Sequence, residues 1–184
     1  MDADERFNAL YRNHARAVLR YACRRTDPDT ARDVVAETFL VAWRKLGAVP
    51  VDPAEAEPWL YGVARRVLAN VDRSAQRTLR VSARLWSEGH DDQVPDPAAA
   101  ISERQRICQA LARLSELDQE VLRLLGWEEL SIGGAAVAMG CSHSAMTVRV
   151  HRARRRLDRA LRTIDGDEQP FPSLSQSLVQ SECS

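Results

Sequence analysis

This chain is marked first by what it lacks. No stretch approaches the eighteen consecutive apolar residues that a membrane span requires, so no direct membrane insertion is expected. Its four cysteines, Cys23, Cys108, Cys141 and Cys183, are scattered with no CxxC pair, which excludes a zinc ribbon or a disulfide framework. They read as buried or incidental thiols of a reducing compartment, with Cys183, in a polar tail, the one expected to be exposed and reactive. His14, His90, His143 and His151 form no HxH or HExxH arrangement. The adjacent acids Asp91-Asp92 and Glu128-Glu129 have no histidine or metal-ligand partner at useful spacing. No Gly-rich phosphate loop, nucleophile elbow or catalytic triad is present, so no metal, cofactor, small-molecule substrate or enzymatic activity is expected. The opening MDADERFNAL is acidic and has no apolar signal core, which predicts a cytoplasmic protein. Lysine is nearly missing: Lys45 stands alone against 25 arginines, a bias so general that it marks composition rather than a site. There is no net charge and no internal repeat.

What is present is helical and unevenly charged. Apolar residues never alternate with polar ones over a strand's length, so the expected fold class is all-α. Phe7, Leu10, Tyr11, His14, Val18, Leu19 and Ala22 recur at helical spacing until Asp27-Pro28-Asp29 breaks the pattern. A second helix is predicted from Thr30 to Leu46, a loop from Gly47 to Pro58 on the strength of three prolines, and a third helix from Trp59 to Gln76. Residues 81–100 then turn acidic and aperiodic, which predicts an interdomain linker, since compact domains seldom hold so long a structureless stretch. Four helices follow: Ile101–Leu114, then Glu116–Trp127 capped by Ser115, Ile132–Met139 capped by Ser131, and a long one capped by Ser142. The expected organisation is a helical domain over 1–79, an acidic linker over 80–101, a second helical domain over 102–164, and a disordered tail over 165–184. These four segments carry net charges of +2, −2, +4 and −4, so any nucleic-acid surface must be sought locally.

The strongest local signal is GCSHSAMTVRVHRARRRL, Gly140–Leu157. A short helix stops at Gly140, Ser142 restarts the chain, and the next helix carries seven arginines against one acid, Asp158. That is a helix-turn-helix pattern, the second helix suited to a DNA major groove. Met146, Val150, Ala153, Leu157, Leu161 and Ile164 form one apolar stripe, and Arg149, Arg152, Arg155, Arg156, Arg159 and Arg162 project away from it. The plainer alternative is a solvated basic face. In the preceding helix Gly133-Gly134 weakens helix propensity, which leaves it dependent on packing or on close approach to a neighbour or a phosphate.

The first half holds a second constellation. DVVAETFLVAWRKL places Asp33, Glu37 and Arg44 on one side of a helix and Val35, Phe39 and Ala42 on the other. PWLYGVARRVLANVDRSAQR then combines Trp59 and Tyr61 with Arg65, Arg66, Asn70, Arg73 and Arg77. Aromatics interleaved with arginines suit unstacked single-stranded bases, which stack on rings while cations follow the backbone. The plainer alternative is that Trp43, Trp59 and Tyr61 are core residues; for Trp43 that is the preferred reading, and for Trp59 the two stand level.

Taken together, FNALYRNHARAVLRYACRR, DVVAETFLVAWRKL, PWLYGVARRVLANVDRS and the stretch from ALARLSELDQ to VHRARRRL resemble, in this order, the extracytoplasmic-function (ECF) sigma factors of the sigma-70 class. The resemblance implies two small helical domains, region 2-like and region 4-like, on a promoter-specificity subunit of bacterial RNA polymerase that recognises promoter DNA and helps melt its –10 element. It implies that Asp33, Glu37, Phe39, Leu40 and Trp43 dock on the clamp of the largest polymerase subunit, with the β flap as a further contact. It implies that Trp59, Tyr61, Arg65, Arg66, Asn70 and Arg73 engage the melted –10 element, and that Ser144, Thr147, Val148, Arg149, His151, Arg152, Arg155 and Arg156 read the –35 element. An anti-sigma factor wedged between the domains is the implied regulator. The chain departs from the family's common recognition-helix pattern: Thr147 and Val148 stand where Lys and Ser are usual, Gly133-Gly134 where a Glu pair is usual, and Arg66 where Asn is frequent. The –35 sequence preference is therefore not carried over. Two other readings remain at this point: a helix-turn-helix regulator that binds duplex DNA without polymerase, and an adaptor that contacts only proteins.

Overall fold

Short polar residues set the helix starts. In a computed structural model, which describes residues 2–83 and 103–167, Asp2 and Glu5 form a reciprocal capping box on α1 (Ala3–Cys23). The Asp27-Pro28-Asp29 break is itself the start of α2 (Pro28–Arg44): Asp27 accepts from the backbone N–H groups of Asp29 at 3.1 Å and Thr30 at 3.0 Å, and Pro28 occupies the first turn. Hydrogen bonds from the Thr30 side chain and backbone hold the Asp27 carboxyl down to about 2.

The expected loop over Gly47–Pro58 is largely helix. After a single 3-10 turn, Leu46–Ala48, α3 starts at Pro53 and runs to Ala83, beyond both Gln76 and the expected domain limit at 79. Asp52 caps it by accepting from the N–H of Ala54 at 2.9 Å, and Pro53 lies in the first turn, where its missing N–H costs nothing. Pro58 is inside the helix and buried, so packing outweighs the lost hydrogen bond.

The second half follows the sequence closely: α4 (Glu103–Ala112), α5 (Glu116–Gly126), α6 (Ile132–Met139) and α7 (His143–Asp167). Ser115 and Ser131 cap α5 and α6 as expected, and the Ser142 hydroxyl accepts from the N–H of Ala145 at 3.2 Å at the start of α7. Gly140 ends α6 at φ 66°, the left-handed conformation that closes such a turn without a Cβ penalty. Residues 80–83 extend α3 and 165–167 extend α7; the rest of the expected linker and tail lies outside the described residues, as does Cys183. Cys23 and Cys108 are exposed rather than buried.

Among the described residues there are seven α-helices and no strand. α1, α2 and α3 pack on one another, α7 packs on α4, α5 and α6, and α3 lies against α6. One hydrophobic core therefore runs through both halves, from Val18, Val34 and Leu60 to Ala135, Val121 and Met146.

Candidate nucleic-acid interface

The apolar stripe of α7 is buried as its spacing requires: Met146, Val150, Ala153 and Ile164 are all inside, with Leu157 and Leu161 half-buried. The opposite face is open. Ser144, Thr147, Val148, His151, Arg152 and Arg155 are exposed, and Arg149 is half-buried at their edge. Arg156 differs from its neighbours. Its guanidinium binds the carboxylate of Asp118, which also accepts from the Ser115 hydroxyl at 2.9 Å. Asp118 is almost wholly buried, so its ion pair with Arg156 ties α7 to the start of α5, while the Arg156 side chain itself stays 55% exposed. Arg162 is drawn to Asp158 at 3.1 Å one turn earlier.

The α3 helix carries its expected site residues on two different faces. Arg66, Asn70 and Arg73 are exposed, with Arg73 donating to the Asn70 side chain at 2.7 Å. Trp59 and Arg65 are half-buried, Trp59 against the core. Tyr61 is fully inside: it stacks on Tyr21 with ring centroids 4.9 Å apart, and its hydroxyl donates to Glu57 at 2.6 Å. Burial and that carboxylate push the Tyr61 phenol far above its usual range. Tyr61 is a core residue, not a stacking platform.

On α2 the acidic and aromatic residues separate in the same way. Asp33 and Glu37 are exposed, and Leu40 and Trp43 are about two-fifths exposed. Phe39 is buried beneath Phe7 and Tyr11, whose rings meet it at 6.3 and 4.8 Å. Trp43 leans edge-on against Phe7 at 5.0 Å while keeping an open flank. A groove of about 700 Å³ separates α2 from α3, and its walls bring Asp33 and Glu37 opposite Arg66 and Asn70.

Sequence reasoning missed one cluster entirely. Arg25, at the end of α1, lies 3.6 Å above the Tyr21 ring, and pairs with Glu120 at 2.9 Å and Glu128 at 3.0 Å. Arg24 adds a second ion pair to Glu128 at 2.7 Å, and the Tyr21 hydroxyl donates to Glu120 at 2.7 Å. Burial alone would lower the Arg25 pKa, but Tyr21, Glu120 and Glu128 raise it overall. The partner that Glu128 lacked in sequence is thus a pair of arginines about a hundred residues away, a distance over which no local spacing can signal contact. Beside this clasp, α3 and α6 come close enough that a Cβ on Gly62 would meet the Ala138 carbonyl oxygen at 3.1 Å, and one on Gly134 would meet the Pro58 ring at 3.2 Å. That decides the role of Gly134, which permits close approach to a neighbouring helix. Gly133 meets only ordinary contacts.

Known proteins share this arrangement. Residues 10–78, spanning most of α1 to α3, match the family described as Sigma-70 region 2, and residues 104–157, spanning α4 to most of α7, match Sigma-70, region 4. The ECF RNA polymerase sigma factor SigL of Mycobacterium tuberculosis is 33% identical over 150 residues, 81% of this chain and 85% of that one. The chain belongs to the sigma-70 family. It is an RNA polymerase sigma factor of the ECF type, and sigma factors as a class are non-catalytic initiation factors. Two solved structures have the same fold. The sigma factor RpoE of Bartonella quintana, in complex with the anti-sigma factor NepR, aligns with a TM-score of 0.61 at 25% identity, covering 85% of this chain and 96% of that one. CnrH in complex with the cytosolic domain of CnrY aligns with a TM-score of 0.54 at 25% identity, covering 88% of each chain. In this sigma factor the region 2 and region 4 halves meet along the α3–α6 seam and the Arg25 clasp.

Proposed function

We propose that this sigma factor reads the upstream promoter box with the outward face of α7, engages the melted –10 strand along α3, and docks on the clamp of core polymerase through α2. The observation that carries the reading is the open face of α7: Ser144, Thr147, Val148, His151, Arg152 and Arg155 all face away from the buried stripe, on a helix that follows a short helix and a tight glycine turn. Arg152 and Arg155 contact phosphates or guanine edges, the roles that a planar fork of donors serves best. Arg156 acts indirectly, by fixing the angle of α7 on α5.

On α3 the exposed Arg66, Asn70 and Arg73 follow the single-stranded backbone, with half-buried Trp59 and Arg65 at the margin. On α2 Asp33, Glu37, Leu40 and Trp43 form the polymerase contact, with Phe39 supporting them from beneath. The β flap is assigned to the region 4 half. An anti-sigma factor is the expected regulator, as in the aligned RpoE–NepR complex. A partner entering between the halves must first open the α3–α6 seam, where the backbones leave no space for an inserted side chain. The protein performs no bond chemistry and acts in the cytoplasm, beside the chromosome. Among the described residues no helix is long and apolar enough to cross a membrane.

Run-off transcription with core polymerase tests the assignment. Added protein is expected to give promoter-specific transcripts, and Arg152→Ala and Arg155→Ala are each expected to reduce the salt slope of promoter binding by about one. Tight duplex binding without polymerase, together with no specific transcript, would establish the stand-alone regulator instead. That alternative also leaves the region 2 match over residues 10–78 without a purpose.

A further inference from the structure

The centre of the outward face of α7 is apolar. Val148 lies opposite the buried Met146–Val150–Ala153 stripe and is 50% exposed. It lines a concave surface with Ser144, Arg149, Arg152 and Leu117. Folding gives no reason for it: valine is a poor helix former, and here it leaves half its surface in water. A lone exposed valine would be unremarkable elsewhere, but this one stands at the middle of the face assigned to the groove.

The neighbouring hydroxyls are already engaged within the helix start. The Thr147 hydroxyl donates to the His143 carbonyl at 3.0 Å, and the Ser144 and Ser142 hydroxyls pair at 3.2 Å. Among the exposed side chains of the first two turns of α7, Val148 and the Thr147 γ-methyl are therefore apolar groups, flanked by His143, Arg149, His151 and Arg152.

A branched apolar side chain rewards one feature of the major groove, the C5-methyl group of thymine. Against adenine, guanine or cytosine at that site it would strip water from donors and acceptors without replacing a hydrogen bond. We infer that Val148 makes this sigma factor select thymine at one position of its upstream box by methyl contact, with the Thr147 methyl as a secondary contact. The inference rests on the proposed use of α7 as the –35 reader and names what its central residue reads.

The test uses holoenzyme assembled from core polymerase and the full chain. Duplexes with a randomised upstream box are selected for binding by wild type and by Val148→Ser, a surface change not expected to disturb the fold. The selected box is then resynthesised with uracil for thymine, which removes only the methyl. Wild type is expected to enrich thymine at one position and to bind the uracil duplex about fourfold more weakly, the fold-change for burying one methyl. Val148→Ser is expected to lose both the enrichment and the uracil effect. The inference is overturned if no thymine is enriched, if uracil binds as thymine does, or if Val148→Ser keeps the full preference. If wild type enriches no upstream box at all and Arg152→Ala leaves binding unchanged, the assignment of α7 as a promoter reader falls as well. An enriched box with an Arg152 effect but no methyl effect overturns the inference alone.

Discussion

The two helices assigned to promoter DNA, α3 and α7, both carry several arginines and are presented in opposite ways. α7 rests on α4, α5 and α6 with one stripe and leaves the rest of its surface to solvent. α3 is enclosed by α1, α2 and α6, so that in its first half Ala56, Leu60, Tyr61, Val63, Ala64, Val67 and Leu68 are all buried. An arginine-bearing helix therefore offers a reading face only where the fold leaves that face uncovered. On α7 the arginines lie on an open face; beyond the first turn of α3 the open polar side chains, among those described, are Arg66, Asn70 and Arg73, with Trp59 at their edge.

The contrast can be broken most strongly at the clasp. Arg25→Met removes the cation shared by Glu120 and Glu128 and the contact over Tyr21. Because buried carboxylates are left short of a partner, a loss of about 3 kcal/mol is expected. Chemical denaturation would measure it, and hydrogen exchange should show α3 and α6 losing protection before α7. Equal loss in all three helices would mean that the clasp serves the whole fold and not the seam.

Gly62→Val comes next. Its side chain would press on the Ala138 backbone, which cannot swing aside as a flexible side chain can. Overpacking of this kind costs about 1–3 kcal/mol, and the variant should expand in solution scattering while α7 keeps its helicity. An unchanged scattering profile would show that the seam tolerates the bulk.

Arg156→Ala sharpens the other side of the comparison. Asp118 would keep the Ser115 hydroxyl but lose its charged partner, a cost of about 1 kcal/mol. If Arg156 positions rather than contacts, the salt slope of promoter binding should stay at the wild-type value while thermal stability falls. A drop in the slope by about one would make Arg156 a phosphate contact after all.

The smallest effect separates two adjacent glycines. Gly133→Ala should raise stability by less than about 0.8–1 kcal/mol, because the site has ordinary space and lies in the first turn. Gly134→Ala should give no such gain, since its Cβ would crowd Pro58. Thermal melts of the two variants side by side decide it; equal gains would remove close packing as the reason for Gly134.

Much of this protein was legible in its residue order because the signals are local. Serine caps announced α5, α6 and α7 within a residue or two, and a hydrophobic repeat of three and four identified the buried stripe of α7. Proline misled for an equally local reason. Pro53 was counted with Pro50 and Pro58 as loop, yet after the Asp52 cap it is a helix starter, and Pro58 is tolerated because its buried ring packs beneath α6. Tyr61 shares α3 with open residues, and only its stacking on Tyr21 of α1 assigns it to the core; Phe39, already on the apolar side of α2, is covered by Phe7 and Tyr11 of the same α1.

Sequence alone was enough for the all-helical class, the order of the family's regions and the two-faced character of α7, because each depends on residues a few positions apart. The α3–α6 seam, the Arg25 clasp and the anchoring of Arg156 by Asp118 arise between residues some forty to one hundred positions apart, brought together by packing. No periodicity extends that far, so which of the arginines and aromatics remain open to DNA follows from how the helices stack.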